Sequence, residues 1–284
     1  MPYTTIVDAS TLNDHLDDPT WLIIDVRHSL ADFGLGRKLY EQAHIPGAFF
    51  ADMERDLAGL KSGTNGRHPL PDPQGFAAFL RALGTNNETQ IVAYDAGGDM
   101  FAARLWFLSR WIGHDRVAIL DGGFSAWQSA GFSTTSELPH QRMNGDLSIA
   151  LQSDTALDTA QLTPLIGDSA YAILDARAPE RFAGDVEPLD PCAGHIPGAR
   201  NRVFKENFTS DGRMKSPQEL RAEYETIGLP ADHIVHQCGS GVSAAVNMLA
   251  MELAGLPGSR LYAGGWSEWC ADPTRPMVTK PKPA

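Results

Sequence analysis

Four short sequence blocks occur twice in this chain, in the same order, and they constrain its fold more than any other feature. The first half contains LIIDVR (22–27), HIPGA (44–48), IVAYDAGG (91–98) and LDGGFSAW (120–127). The second half contains AILDAR (172–177), HIPGA (195–199), IVHQCGSG (234–241) and YAGGWSEW (262–269). Cys238 follows Asp95 by 143 residues (238 − 95), and Gly264 follows Gly122 by 142 (264 − 122). Matching order and spacing indicate two copies of one domain.

Each copy alternates short apolar runs with helical patterns. WLIIDV, QIVAYD and RVAIL in the first half, and YAILDA, HIVHQC and SRLYA in the second, have the length and composition of buried strands. Strands that alternate with helices predict parallel pairing. We therefore expect an α/β fold of two tandem domains, each a parallel sheet with helices on both faces. The polar, loop-like segment after residue 133 places the domain boundary near Gly145, which gives domains 1–145 and 146–284.

One helix of the second copy carries clear start and stop signals. In SPQELRAEYETIG, Ser216 is a predicted N-cap, Pro217 occupies the first helical position and Glu219 completes a capping box. Gly228 is a typical residue after a helix C-terminus.

Charge and cysteine usage limit the classes of function. The net charge of −12 disfavours binding to nucleic acid or to an anionic membrane. No apolar run approaches the roughly 20 residues that span a bilayer, and the N-terminal residues lack the pattern of a secretory signal. Three cysteines form an odd number, which favours free thiols in a reducing compartment. We expect a cytoplasmic protein.

Cys238 is the residue that points to chemistry. It follows the strand-like run IVHQ and precedes a Gly-Ser-Gly turn and the helical run SAAVNMLAMELAG. The carboxyl end of a strand is where open α/β sheets bind ligands. A glycine-rich turn can direct several backbone N–H groups inward, and the following helix adds its positive end. Both features favour a nucleophilic thiolate and would also hold an anionic product on its sulfur.

The repeated HIPGA blocks, the GGF and GGW blocks and the CGSGVS loop resemble the two-domain rhodanese-type sulfurtransferases, over about residues 21–269. The loop itself is similar to the CGSGVT pattern of the 3-mercaptopyruvate sulfurtransferases. The resemblance implies a silent first domain and a catalytic second domain. Asp95 occupies the first copy's cysteine position, which fits a silent domain.

The resemblance also implies a double displacement. Cys238 would take sulfur from a small anionic donor as a persulfide and pass it to a thiol, cyanide or thioredoxin, with no metal or organic cofactor. The site residues that it implies are Arg181 for the donor's anionic group, Ser240 for proton movement, Gly239, Gly241, Val242 and Ser243 in the loop, and His68, Asp52 and Glu54 from the first half.

The choice of donor stays open at this level. Mercaptopyruvate enzymes often carry a second substrate arginine nine residues after the first, where this chain has Asp190. Aspartate at that position is found in thiosulfate-preferring relatives, but their loop usually carries basic residues, which CGSGVS lacks. We give the loop more weight and expect 3-mercaptopyruvate, with thiosulfate as the alternative.

Residues that occur in both copies are expected to be structural. Arg177 has a twin in Arg27, and His195 has a twin in His44. We therefore expect Arg177 to pair with a carboxylate and the two histidines to hold turns. Cys192 and Cys270 lack a glycine-rich loop and are expected to be incidental to the chemistry.

Two other functions fit parts of the sequence. A cysteine-dependent phosphatase or arsenate reductase needs an arginine that closes the loop, but the sixth residue after Cys238 is Ala244. A non-catalytic persulfide carrier or sensor would keep the same loop without turnover.

Overall fold

The computed structural model describes residues 1–279, which form two compact units. The first unit consists of Met1–Gly59, Pro71–Gln152 and Phe208–Met214. The second consists of Leu60–Leu70, Ser153–Asn207 and the residues from Lys215 onward. The domain boundary at Gly145 stays a prediction.

The first unit contains five strands and five helices. The strands are β1 (Ile6–Val7), β2 (Trp21–Asp25), β3 (Phe49–Phe50), β4 (Gln90–Tyr94) and β5 (Val117–Leu120). The helices are α1 (Ala9–Asp14), α2 (Leu35–Gln42), α3 (Pro73–Ala82), α4 (Phe101–Trp111) and α5 (Gly123–Ser129).

The second unit repeats this inventory. Its strands are β6 (Ala156–Leu157), β7 (Ala172–Asp175), β8 (Arg200–Asn201), β9 (Ile234–Gln237) and β10 (Arg260–Tyr262). Its helices are α6 (Thr159–Leu162), α7 (Pro179–Phe182), α8 (Pro217–Glu225), α9 (Ala244–Leu253) and α10 (Gly265–Trp269). Short 3₁₀ turns lie at Thr163–Leu165, Phe204–Asn207 and Ala231–His233.

The two sheets have the same topology. The strand order is β1-β5-β4-β2-β3 in the first sheet and β6-β10-β9-β7-β8 in the second, and every pair is parallel. The predicted α/β fold of two tandem domains is confirmed, and all six predicted strands are present.

The central strands are buried throughout, as their apolar composition requires. Every residue of β2, β4, β5, β7 and β9 is buried. Large aromatic side chains complete each core: Trp127 in the first unit, and Trp266 and Trp269 in the second, are fully buried. Burial of such rings contributes much of the hydrophobic free energy of each unit.

The predicted helix signals of α8 are confirmed. The Ser216 hydroxyl accepts the backbone N–H of Glu219, and the Glu219 carboxylate accepts the N–H of Ser216. The helix ends at Glu225, and Gly228 follows with a φ of +75°, which favours glycine.

Candidate active site

Cys238 lies at the carboxyl end of β9, where the strand order of the second sheet changes direction. The chain runs from β7 to β8 on one side and returns with β9 on the other side of β7. The end of β9 is in register with the end of β7, because Gln237 pairs with Asp175. Loops that leave these two strands therefore lie side by side, in the position where open α/β sheets bind ligands.

The loop after Cys238 is held against the start of α10. The carbonyl of Cys238 accepts the N–H of Trp266 at 2.7 Å, and the carbonyl of Gly239 accepts the N–H of Ser267 at 2.9 Å. Gly265 has a φ of +60°, and a Cβ there would lie 2.6 Å from the Cys238 carbonyl oxygen. The GGW block thus allows the close approach that fixes the cysteine loop.

The remaining loop residues are also buried. Cys238, Ser240, Val242 and Ser243 expose between 2% and 7% of their surface. Gly241 has a φ of +72°, and Ser243 directly precedes α9 without capping it through its side chain. Within residues 1–279, the backbone N–H groups of Gly239, Ser240, Val242 and Ser243 donate to no other protein group.

The equivalent loop of the first unit shows what such a turn holds. Its helix α4 begins six residues after Asp95 (101 − 95), just as α9 begins six residues after Cys238 (244 − 238). The Asp95 carboxylate accepts the N–H groups of Gly97 at 2.9 Å and Ala102 at 3.0 Å. The loop of the first unit therefore binds an anionic group of the protein itself, the Asp95 carboxylate.

Ser240 and His68 are in contact. The Ser240 hydroxyl oxygen lies 2.7 Å from Nδ1 of His68, and both side chains are buried. His68 belongs to the segment Leu60–Leu70, which is part of the second unit although it comes from the first half of the chain. The structure thus brings together two of the residues that the family resemblance implied.

Arg181 lies beside the loop, on α7. Its Nε and Nη2 donate to the Glu187 carboxylate at 3.1 and 2.6 Å, and Nη2 also lies 3.3 Å from Asp190. A Cβ on Gly239 would be 3.6 Å from both terminal nitrogens of Arg181. The guanidinium is therefore close to the backbone of the residue that follows Cys238.

Sequence reasoning missed Arg67. Its Nη1 donates to Asp190, and a Cβ on Gly239 would lie only 2.6 Å from its Nη2. The available signal was its position next to His68 in GRHPLP. Burial raises the pKa of the Asp190 carboxyl, and the ion pair with Arg67 opposes that rise.

Arg177 has the structural contacts expected from its twin. It binds Asp175 through Nε and Nη2, with a shortest distance of 2.6 Å, and Arg27 binds Asp25 in the same way at 2.6 Å. The Arg177 guanidinium also lies over the Trp266 ring, 5.1 Å from its centroid.

The twinned histidines contact backbone carbonyl groups. His44 lies 2.7 Å from the Tyr40 carbonyl, and His195 lies 2.8 Å from the Phe182 carbonyl. These contacts agree with a role in holding turns.

Asp52 and Glu54 belong to the first unit. The Asp52 carboxylate accepts the N–H groups of Glu54 at 2.9 Å and Arg55 at 3.1 Å, so it stabilises its own turn. A Glu54 carboxylate oxygen lies 3.9 Å from Nε2 of His28. Their contribution to donor binding stays a prediction.

The two other cysteines are free thiols with different surroundings. Cys270 is buried, which raises the pKa of its thiol to about 11, so it stays protonated at neutral pH. Cys192 is half-buried, and its backbone carbonyl accepts the Trp266 indole N–H at 2.7 Å.

A family model for the rhodanese-like domain matches residues 8–130 and again residues 158–272. The chain belongs to the rhodanese-like family. Each match covers one of the two sequence copies, so the predicted family is confirmed.

Relatives of this rhodanese-like protein are similar over nearly their whole length. A probable 3-mercaptopyruvate sulfurtransferase of Pseudomonas aeruginosa is 45% identical, covering 98% of this chain and 99% of the relative. SseB of Mycobacterium tuberculosis, a putative thiosulfate sulfurtransferase, is 39% identical over 90% of this chain and 89% of its own. The crystal structure of SseA from Escherichia coli, a 3-mercaptopyruvate sulfurtransferase, superimposes with a TM-score of 0.80 at 34% identity, covering 94% of this chain and 100% of that one.

Within residues 1–279, no helix is long and apolar enough to cross a membrane. In the same part of the chain, no group of three or more His, Cys, Asp or Glu side chains is arranged to hold a metal ion.

Proposed function

We propose that this rhodanese-like protein is a sulfurtransferase that moves sulfur from 3-mercaptopyruvate, through a persulfide on Cys238, to a thiol, cyanide or a reduced thioredoxin. We also propose that it acts in the cytoplasm, because its three cysteines are unpaired thiols, which are typical of a reducing compartment. The family and the names of the full-length relatives agree with the sulfurtransferase activity.

The first half-reaction places sulfur on the enzyme. The Cys238 thiolate attacks the donor's thiol sulfur, an S–S bond forms and the donor's C–S bond breaks. The electron pair of that bond stays on the donor's methylene carbon, which takes up the proton that the donor thiol loses, and pyruvate leaves. The persulfide then passes its outer sulfur to the acceptor and Cys238 returns as a thiolate. Such a cycle gives ping-pong kinetics.

The loop supplies the environment that the persulfide anion needs. In the first unit the same turn binds the Asp95 carboxylate through the N–H groups of Gly97 and Ala102. Counting from the reactive position, the equivalent residues are Ser240 and Ala245. The Ala245 N–H donates to the Val242 carbonyl at 3.2 Å, whereas the Ser240 N–H donates to no other protein group within residues 1–279. We infer that the Ser240 N–H faces the Cys238 sulfur and stabilises its negative charge.

The contact between Ser240 and His68 is the observation that carries the choice of donor. With 3-mercaptopyruvate, a proton must move from the donor sulfur to carbon, whereas transfer from thiosulfate to a thiolate releases sulfite without any proton movement. A buried hydroxyl that shares a hydrogen bond with an imidazole can relay a proton. Such a relay would assist the reaction with 3-mercaptopyruvate, but the reaction with thiosulfate would not use it. Thiosulfate remains the alternative donor because the similar protein SseB is named a putative thiosulfate sulfurtransferase.

The test compares kcat/KM for the two donors with a saturating acceptor. We expect 3-mercaptopyruvate to exceed thiosulfate by at least tenfold, about 1.4 kcal/mol of transition-state preference. A tenfold excess for thiosulfate would overturn the assigned donor. Intact-protein mass spectrometry after treatment with either donor should show one added sulfur on Cys238. A persulfide that forms without turnover in the presence of an acceptor would instead support a carrier or sensor.

A further inference from the structure

The residue before the reactive position differs between the two copies. Tyr94 is the last residue of β4 and is in register with Asp25. Gln237 is the last residue of β9 and is in register with Asp175. In the first unit the Tyr94 hydroxyl donates to Oδ2 of Asp25 at 2.8 Å and accepts the backbone N–H of Ile45 at 3.2 Å. One hydroxyl group thus connects the ends of two strands with the first HIPGA block.

The surroundings of this position are otherwise equivalent in the two copies. Nη2 of Arg27 donates to the Ala43 carbonyl at 2.6 Å, and Nη2 of Arg177 donates to the Gly194 carbonyl at 2.8 Å. These two carbonyl groups directly precede the HIPGA blocks, so the two aspartate–arginine pairs are anchored at the same place. The second copy should therefore contain partners for a hydroxyl group where Tyr94 supplies one in the first.

Three residues of the second copy, Gln237, Ile196 and Asp175, have the places around that hydroxyl group. Gln237 is fully buried, and within residues 1–279 neither Oε1 nor Nε2 of its carboxamide has a hydrogen-bond partner. Ile196, the twin of Ile45, is also fully buried, and among the described residues its backbone N–H finds no acceptor. In the same part of the chain, Oδ2 of Asp175 accepts only from Arg177.

Hydrogen bonding explains how the folded chain can tolerate these groups. A buried donor or acceptor without a partner destabilises the folded state, and buried water molecules typically make about three hydrogen bonds to such groups. The side chain of Gln237 is shorter than that of a tyrosine, so its carboxamide ends before the place of the hydroxyl group. A water molecule at that place can donate to Asp175 and to Gln237, and can accept the N–H of Ile196.

We propose that Gln237, Asp175 and Ile196 form a binding site for a buried water molecule, which replaces in the second unit the hydroxyl group that Tyr94 supplies in the first. The water connects the end of β9, directly before Cys238, to the end of β7 and to the second HIPGA block. The inference is independent of the proposed function, because it depends only on hydrogen bonding within the second unit.

A high-resolution crystal structure of the wild-type protein tests the site directly and needs no variant. We expect electron density for a water that lies about 2.6–3.2 Å from Oδ2 of Asp175, from the backbone nitrogen of Ile196 and from the Gln237 carboxamide. Density that shows no water at this place would overturn the proposal. A Gln237 carboxamide that binds Asp175 and Ile196 directly would overturn it as well.

Thermal unfolding of Gln237→Met gives a test whose sign differs between a hydrated and a dry site. Methionine is similar in shape to glutamine but lacks the carboxamide. If the water is bound, the variant loses a buried hydrogen bond, and we expect Tm to fall by at least about 2 °C. If the carboxamide were dry, its removal would eliminate an unpaired polar group and raise Tm.

Gln128→Met is the matched control for this substitution, because Gln128 is an exposed residue of α5. Its Tm should equal that of the wild type. A Tm of Gln237→Met that is unchanged or raised relative to this control would contradict a bound water. If Gln237→Met does not fold, the wild-type crystal structure decides alone.

Discussion

The hydroxyl oxygen of Ser240 lies 2.7 Å from Nδ1 of His68, although 172 positions separate these residues in the chain. Both side chains are buried, so the hydrogen bond is shielded from bulk water. Through this contact the His68 imidazole is hydrogen-bonded to the hydroxyl group of Ser240, which lies two residues after Cys238 in the sequence. A proton relay of this kind serves a donor whose thiol must lose a proton.

Replacement of Ser240 by Ala should therefore affect the two donors differently. We expect kcat/KM for 3-mercaptopyruvate to fall about 100-fold, the lower end of general acid–base contributions. For thiosulfate we expect less than about a threefold change, because its sulfur carries no proton to move. Steady-state kinetics with both donors measures this difference, and thiosulfate serves as the internal control for loop integrity.

His68→Gln should reproduce the donor-selective loss, and Ser240→Ala/His68→Gln should be no worse than the more severe single variant. Residues that act as one unit are strongly non-additive. Losses that multiply in the double variant, or equal losses for both donors, would contradict a shared relay.

Replacement of Cys238 by Ser should abolish sulfur transfer from either donor, with kcat reduced more than about 1000-fold, because a hydroxyl cannot form a persulfide. The circular dichroism spectrum should stay that of the wild type. Cys192→Ser is the matched control and should remain active, because the contact of Cys192 with Trp266 uses its backbone carbonyl. Full activity in Cys238→Ser would refute the assigned nucleophile.

Asp95 should matter for stability rather than chemistry. Its buried carboxylate accepts the backbone N–H groups of Gly97 in its own loop and of Ala102 in the first turn of α4, and Asp95→Ala would leave both donors unpaired. We expect a loss of about 1.5–3 kcal/mol in the free energy of unfolding, the usual range for hydrogen bonds to a charged group. Calorimetric unfolding of Asp95→Ala and of the exposed control Asp115→Ala tests this expectation. Equal stability of the two variants would mean that the loop does not depend on its internal anion.

His236 should make the protein acid-sensitive. Burial lowers the pKa of this histidine to about 3, whereas an exposed histidine in the unfolded chain titrates near about 6.5. Between these values the unfolded chain binds a proton that the folded chain does not, so stability is complete above about pH 6.5 and falls as the pH decreases. Each pH unit in this range costs about 1.4 kcal/mol.

Urea unfolding of His236→Gln at pH 7 and pH 4.5 measures this contribution. We expect the variant to lose about 2.5 kcal/mol less than the wild type between the two pH values. His233→Gln, which removes a histidine stacked on Tyr171, is the matched control and should follow the wild type. If the free energy of unfolding of His236→Gln fell as much between pH 7 and pH 4.5 as that of the wild type, the acid sensitivity would come from groups other than His236.

Much of the fold was predictable because it depends on local patterns. Buried-strand composition predicted β2, β4, β5, β7, β9 and β10, and the capping residues of α8 predicted its start. The repeated blocks predicted two domains of one topology, and both sheets have the same strand order. The glycine turn after Cys238 predicted a loop between a strand end and a helix, which the structure contains.

By itself, then, the sequence determined the α/β class, the duplicated domain and the cysteine loop, since strand periodicity, caps and turn residues act over a few neighbouring positions. Only the tertiary structure decided that Arg67 reaches Gly239, that Asp190 pairs with two arginines, and that the Asp52 carboxylate stabilises its own turn. The first two are contacts between distant segments, which depend on how whole elements pack, and the third depends on a side-chain orientation. Packing between distant segments and the orientation of a single side chain leave no periodic pattern in the sequence.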